Sequence, residues 1–365
     1  MPFQGLRAVA FSGIFLSHTG IEEFSSLGPW GVSVFFILSG FLMMVNYYST
    51  DKLKKITVKD NLCFSISKVR KLYPLHIVMM LVALMLTMHS AKIINVKWLL
   101  KLLLQIGANI TLLQSFFPHS VVYYSLNAVA WYLSVCLFIY FCFPWILSFC
   151  KKHTGLDKTA DCRMALKGIL ILFTLQMMVD FLASFINLPL SDGFTKWFVY
   201  VCPLTRLIDF IIGCFVGLLY LKSEEQRNKN NGLLGVFAVA LIIVACSIFT
   251  LVNPAESDVM HSELWWRLTT IFTLPNVALI YNLARRDGII AKVLSVDVIV
   301  GIGNISAYAF LIHQIVIRCI NILFSKIEVE QIGLKIMIPF VLTMVSCLIW
   351  KRIINYFRMR KKGLE

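Results

Sequence analysis

The chain has 365 residues, of which 59% are hydrophobic and only 15% are charged, and its mean hydropathy is +0.79. Soluble domains are typically about 45–50% apolar and about 25% charged. One water-soluble core cannot bury this excess, so the lipid bilayer is the expected solvent. Apolar segments recur throughout and leave no polar stretch of domain size. We therefore expect a single all-α, polytopic membrane domain over residues 1–365, which excludes a soluble enzyme, a secreted disulfide scaffold and a disordered tail protein.

The formal net charge is +15 and the pI is about 9.4. In a membrane protein, Lys and Arg gather in cytoplasmic loops and face anionic headgroups. Since no nucleic-acid recognition fold accompanies the charge, we expect membrane lipids and no nucleic acid among the partners.

The ten cysteines form no CxxC pair and no Cys/His cluster, which predicts neither a disulfide nor a metal site. Most lie inside apolar runs, where cysteine behaves as a small buried hydrophobe. Cleavage of a signal peptide is not expected either, because the first apolar run contains Arg7 and His18 and lacks a small-residue cleavage site.

A helix that crosses about 30 Å of hydrocarbon needs about 20 mainly apolar residues. Candidate stretches begin near Leu6, Trp30, Leu72, Trp98, Leu126, Ala165, Phe198, Leu233, Leu264, Gly301 and Leu334. Cations cluster in residues 52–71 and in the C-terminal tail from residue 351, and both segments should be cytoplasmic.

The stretch over residues 98–116 decides the topology. If it does not span, every remaining Lys/Arg-rich loop lies inside and the acidic loop with Glu256, Asp258 and Glu263 lies outside. We therefore predict ten spans in the plasma (inner) membrane, with both termini cytoplasmic. Residues 98–116 then form an amphipathic or re-entrant helix on the outer side, consistent with an interfacial position of Lys97 and Lys101.

The first span contains two ionisable residues, which cost several kcal/mol in hydrocarbon unless they are partnered or hydrated. Arg7 and His18 are eleven residues apart. At about 100° per residue they project from nearly one face, about 16 Å apart along the axis. Arg7 is either a snorkelling interfacial cation or a group that faces substrate.

His18 is either a packing residue or a catalyst. Glu22 follows one helical turn later, within reach to hold one ring nitrogen and leave the other free as a base. In the second span, Gly31, Ser39 and Gly40 permit either close helix packing or room for a bound chain.

Three cations and an aromatic residue stand at the entrance of the third span: Lys68, Arg70, Lys71 and Tyr73. They either bind a phosphorylated molecule or serve only as topology charges. Among other embedded polar groups, Arg206 and Asp209 are three residues apart and are expected to neutralise each other. His313 remains ambiguous.

These segments resemble the acyltransferase 3 family of integral membrane acyltransferases. Arg7 and His18 match its Arg-x10-His pattern, and residues 31–42 are similar to its GV-x-x-FF-x-x-SGFL run. Residues 68–74 resemble its Arg-x-x-Arg segment ending in Tyr-Pro. Residues 131–140 and 303–313 resemble its two later motifs, so that the matches follow the family order along nearly the whole chain.

Two departures from the family pattern affect what the resemblance implies. Lys68 and Lys71 occupy the arginine positions, and lysine lacks the planar fork that grips phosphate. Cys136 stands where many members carry Glu, so another residue must perform any task of that carboxylate. Asp180 and Asp209 are the candidate substitutes.

The resemblance implies an O-acetyltransferase with no tightly bound cofactor. Its donor would be cytoplasmic acetyl-CoA, held by Lys68, Arg70, Lys71, Tyr73, Ser39 and Gly40. Its acceptor would be a lipid-linked or surface glycan of O-antigen, capsule or exopolysaccharide. The resemblance implies catalysis by His18, as general base or as a transient acyl-imidazole, with Arg7. Glu22 joins this catalytic set through its spacing from His18. The alternative function is a transporter or flippase with proton coupling, although no paired broken helices are visible. A stand-alone enzyme without an appended soluble domain is expected.

Overall fold

The computed structural model describes residues 1–50, 53, 56–91, 95–155, 157–185, 194–223, 232–252, 268–285 and 288–362. Within these residues every regular element is helical. The α-helices are α1 Pro2–Ser17, α2 Leu27–Tyr47, α3 Val58–Val69, α4 Tyr73–His89, α5 Val96–Ile110, α6 Ser120–Tyr123, α7 Trp131–His153, α8 Lys158–Phe185, α9 Phe194–Lys196, α10 Pro203–Lys222, α11 Gly232–Val252, α12 Thr273–Ala284, α13 Ile289–Val293, α14 Asp297–Lys326 and α15 Ile332–Lys362. A π-helical segment, Trp197–Val201, joins α9 to α10.

Seven helices of the described chain are long and apolar enough to cross a membrane, namely α2, α7, α8, α10, α11, α14 and α15. An eighth span results if α3 and α4, which meet at a bend of 65°, count as one. The first helix has 16 residues and therefore extends only about 24 Å, while α12 has 12. The protein is thus a multi-pass all-helical membrane protein. Ten spans and cytoplasmic termini stay predictions.

The centre of the bundle is built around α1 and α2. Helix α1 packs against α2 and α14, and α2 packs in turn against α10. In α2, 83% of the most apolar window is buried, against 17% in α8 and in α15. The outer helices therefore present apolar faces to lipid, whereas α2 is enclosed by protein.

Helix α5 folds back antiparallel along α4. The Tyr73 hydroxyl donates to the carbonyl of Ile110 at 2.9 Å, and His76 Nε2 donates to the carbonyl of Asn109 at 2.9 Å. Met80 and Leu102 pack together further along the pair. With 15 residues, α5 is not among the candidate spans. Its re-entrant or interfacial placement on the outer side stays a prediction.

Helices α2 and α10 cross at backbone contact through two glycines. A Cβ atom on Gly40 would clash with the carbonyl oxygen of Phe210, and one on Gly213 would clash with the carbonyl oxygen of Ile37. Of the two interpretations of the small residues in α2, close packing therefore holds for Gly40.

Replacement of Gly40 by alanine should lower the stability of the protein by about 1–3 kcal/mol, because the added methyl group forces the two backbones apart. The measurement is thermal unfolding of the purified protein in detergent. Gly107→Ala in α5 is the matched control, since a Cβ there meets nothing within 4 Å and alanine favours the helix. Equal unfolding temperatures of the two variants would contradict this account of the crossing.

Candidate active site

A cavity of about 260 Å³ lies between α1, α2, α3, α7 and α14. We call it the cationic cavity, because Arg7 and Lys68 both line it and no carboxylate is among its lining residues. Ser39, Tyr132, Cys136 and Tyr140 add polar groups to its wall.

The two cations keep their charge available to the cavity. Arg7 makes no ion pair within the described part of the chain. The Lys68 ammonium donates a hydrogen bond to the Tyr47 hydroxyl and lies 5.0 Å from the centre of the Phe64 ring. Aromatic rings and a hydroxyl hold a cation without cancelling its charge. An anionic ligand is therefore the chemical complement of this cavity.

Cys136 lies on the cavity wall at the position where the family pattern has Glu. The side chains of Tyr132 and Tyr140 line the same wall. The Tyr140 hydroxyl also bonds to the Ser39 hydroxyl at 2.9 Å. This site therefore holds neutral hydroxyl and thiol groups beside Arg7.

A second cavity, of about 300 Å³, contains His18 and is called the histidine cavity. Its polar lining residues are Ser17, His18, Ser25, Tyr124, Lys196, Tyr200 and Gln314. His18 is the C-cap of α1, and its Nδ1 lies 2.7 Å from the carbonyl oxygen of Ile14. A carbonyl can only accept, so Nδ1 carries the hydrogen and Nε2 of the neutral ring has a free lone pair. His18 is thus prepared to accept a proton.

The contact expected from Glu22 is not the one that orients this ring. Helix α1 ends at Ser17, and Glu22 begins a separate 3₁₀ turn in which its side chain is exposed. The prediction assumed an unbroken helix through Glu22. Because the helix stops first, the Ile14 carbonyl takes the orienting role.

A second histidine lies directly behind His18. The centres of the His18 and His313 rings are 5.1 Å apart, and His313 is fully buried. His313 Nδ1 lies 2.8 Å from the carbonyl oxygen of Phe310, while its Nε2 has no hydrogen-bond partner among the described residues. Sequence alone left His313 ambiguous, since the two histidines are on different helices.

The π-helical segment brings two residues to the histidine cavity that the sequence analysis missed. Lys196 precedes the segment and its ammonium lies 5.1 Å from the centre of the Tyr124 ring, while Tyr200 lies within the segment. Trp197 Nε1 anchors the turn by donating to the carbonyl of Ser115 at 2.7 Å. A lysine next to an apolar aromatic run was the available signal for this feature.

Arg206 and Asp209 form a buried pair at 2.5 Å, which confirms their expected mutual neutralisation. Gln176 donates to Asp209 at 2.6 Å, and Arg206 donates to the carbonyl of Val199 within the π-helical segment at 2.6 Å. Asp180 accepts a hydrogen bond from Thr270. Neither aspartate lines either cavity, so neither substitutes there for the carboxylate absent at Cys136.

The residues predicted to hold the acyl donor divide into those that line the cationic cavity and those that do not. Ser39 and Lys68 line the cationic cavity. Arg70 and Lys71 are exposed at the bend between α3 and α4, and Tyr73 is tied to α5. Gly40 is not among the lining residues, because it is used for the crossing with α10.

Phe310 separates the two cavities and lines both. Its ring centre lies 5.1 Å from that of Tyr132 and 6.2 Å from that of Phe35. All three rings line the cationic cavity, and Phe310 lies where it adjoins the histidine cavity.

Comparisons with known proteins identify the family of the chain. A sequence model of the acyltransferase 3 family, described as an acyltransferase domain, matches residues 3–356. The chain is 25% identical over 333 residues to acyltransferase MdmB of Streptomyces mycarofaciens, with 86% of this chain and 78% of that protein covered. No solved structure matches. Because the family model covers nearly its whole length, the chain belongs to the acyltransferase 3 family of membrane acyltransferases.

Proposed function

We propose that the protein is an O-acetyltransferase that moves an acetyl group from cytoplasmic acetyl-CoA to a hydroxyl of a cell-surface sugar. The observation that carries the proposal is the pair of adjoining cavities, one with Arg7 and Lys68 and the other with His18. Family membership favours this chemistry over the transporter or flippase alternative.

In this proposal the cationic cavity receives the donor. A cavity of about 260 Å³ accommodates the pantetheine end of CoA and leaves the nucleotide end outside. The pyrophosphate, where the arm joins the nucleotide, then meets Lys68 on the cavity wall, and the 3′-phosphate meets the exposed Arg70 and Lys71 at the bend. Both contacts are charge-assisted hydrogen bonds. Arg7 acts on the thioester.

The histidine cavity receives the acceptor. His18 lines this cavity and not the cationic one, which favours general-base catalysis over an acyl-imidazole. His18 Nε2 takes the hydroxyl proton, the sugar oxygen bonds to the thioester carbonyl carbon, and the carbon–sulfur bond breaks. The proton then passes from the imidazole to the departing thiolate, giving a sugar ester and free CoA.

His18→Ala should abolish ester formation, because no other imidazole is among the residues that line either cavity. The measurement is mass spectrometry of base-labile acetyl groups on the surface polysaccharide of cells with a deleted gene, complemented with wild type or variant. His153→Ala is the control, since this exposed histidine lines neither cavity. Full acetylation with His18→Ala would remove the imidazole from the mechanism. If wild type adds no acetyl group, the proposed function itself fails.

Lys68→Gln should raise the KM for acetyl-CoA about tenfold or more, since loss of a charge-assisted contact costs about 1.5–3 kcal/mol. Initial rates in proteoliposomes give this value, and the KM for acceptor should change less. Lys71→Gln is the matched control and should have the smaller effect, because Lys71 is exposed outside the cavity. A larger effect at Lys71 would place the main phosphate contact at the bend.

Phe310→Ala should broaden the donor range from acetyl to longer acyl groups, because it removes a large ring from the wall that the two cavities share. The ratio of kcat/KM for hexanoyl-CoA to that for acetyl-CoA should rise at least tenfold, in line with about 1–3 kcal/mol per methylene in a tight pocket. Phe11→Ala is the control for lost packing, since Phe11 is equally buried beside His313 but lines neither cavity. An unchanged ratio in Phe310→Ala would contradict this role of the ring.

A further inference from the structure

A groove of about 760 Å³ lies on the outer surface between α7, α8 and α10, away from both cavities of the active site. Three basic side chains line it, namely His153, Arg163 and Lys167. The residues that follow along α8, Ile171 and Leu172, are apolar and face Ile211 and Phe215 of α10 across the groove. The groove is thus basic where α8 begins and apolar farther along the helix.

The protein does not neutralise these cations. Arg163 and Lys167 are exposed, one helical turn apart, and neither makes an ion pair within the described part of the chain. The two carboxylates near the start of α8 have other partners. Asp161 pairs with Lys222 at 2.7 Å, and Asp157 accepts hydrogen bonds from backbone N–H groups of the first turn. A negative group from outside is therefore the available counter-charge.

The positions of Arg163 and Lys167 along α8 place both cations at the edge of the hydrocarbon core of the bilayer. The helix has 28 residues and is about 42 Å long, which exceeds the hydrocarbon thickness of about 30 Å. Residues 168–185, beyond Lys167, span about 27 Å and fill this thickness. The cations then lie at the depth of lipid phosphates, while Ile171 and Leu172 lie at the depth of the acyl chains.

We propose that this groove binds one anionic phospholipid of the phosphatidylglycerol class, with its phosphate on Arg163 and Lys167 and an acyl chain along Ile171, Leu172 and Ile211. A soluble anion would leave the apolar part of the groove unused. A zwitterionic lipid brings its own cation next to the phosphate. Basic pockets between membrane helices are known features of anionic lipid recognition.

The test is native mass spectrometry of the full-length protein released from nanodiscs of phosphatidylglycerol and phosphatidylcholine in equal amounts. Wild type should retain one phosphatidylglycerol, and the double variant Arg163→Gln/Lys167→Gln should show at least a tenfold lower occupancy. The same lipid should raise the unfolding temperature of wild type and not that of the double variant, since binding to the folded state alone stabilises it.

Two further variants make the result specific. Lys351→Gln/Arg352→Gln removes the same two charges from exposed positions on α15 and should retain the lipid like wild type. The exchange Arg163→Lys/Lys167→Arg keeps both charges and should bind the lipid like wild type. It separates loss of charge from poor folding of the double variant. Equal retention of phosphatidylcholine, unchanged occupancy in the double variant, or displacement of the lipid by millimolar inorganic phosphate would each overturn the proposal.

Discussion

The position of helix α1 between α2 and α14 is the constraint on which the candidate active site depends. A Cβ atom on Gly31 would lie 2.5 Å from the carbonyl oxygen of Ala10, and one on Gly303 would clash with the carbonyl oxygen of Gln4. At these points the neighbouring helices touch the backbone of α1. Because α1 cannot shift or rotate without breaking these contacts, Arg7 and His18 are held in two different cavities at fixed separation.

Charged groups inside the described part of the bundle include both a neutralised pair and unpaired cations. Arg206 and Asp209 neutralise each other, and Arg206 also donates to the carbonyl of Val199 in the π-helical segment that carries Tyr200. Arg7 and Lys68 line a cavity without a carboxylate in its wall. Since an unpaired charge in a membrane protein costs several kcal/mol, its retention at a cavity indicates a ligand that supplies the opposite charge. Arg163 and Lys167, on the groove between α7, α8 and α10, are likewise cations without an ion pair in the described chain and call for an external counter-charge. Lys222 does not, because it is paired with Asp161.

Sequence reasoning was accurate where one helix carries the whole pattern. The spacing of Arg7 and His18 predicted one helix for both, and Arg7 lies in α1 with His18 as its C-cap. The i,i+3 spacing of Arg206 and Asp209 predicted their ion pair. It was wrong for the orienting role of Glu22, because it passed over Gly20, a residue typical of a helix end, whose φ is +80° just after α1 ends at Ser17. The resemblance also placed Gly40 among the residues that bind the donor. In the structure this glycine lets the backbones of α2 and α10 touch. A small residue at a helix crossing and one beside a ligand have the same sequence signature.

Composition and residue order alone determined that the chain is a helical membrane protein, and its motifs identified the family. These properties depend on hydropathy and on spacing within single helices, both of which are local. Tertiary structure decided that Lys68 joins Arg7 in one cavity, that His313 packs against His18, and that Lys196 and Tyr200 reach the histidine cavity. Each of these depends on how separate helices cross, and crossings are set by packing between residues far apart in the chain.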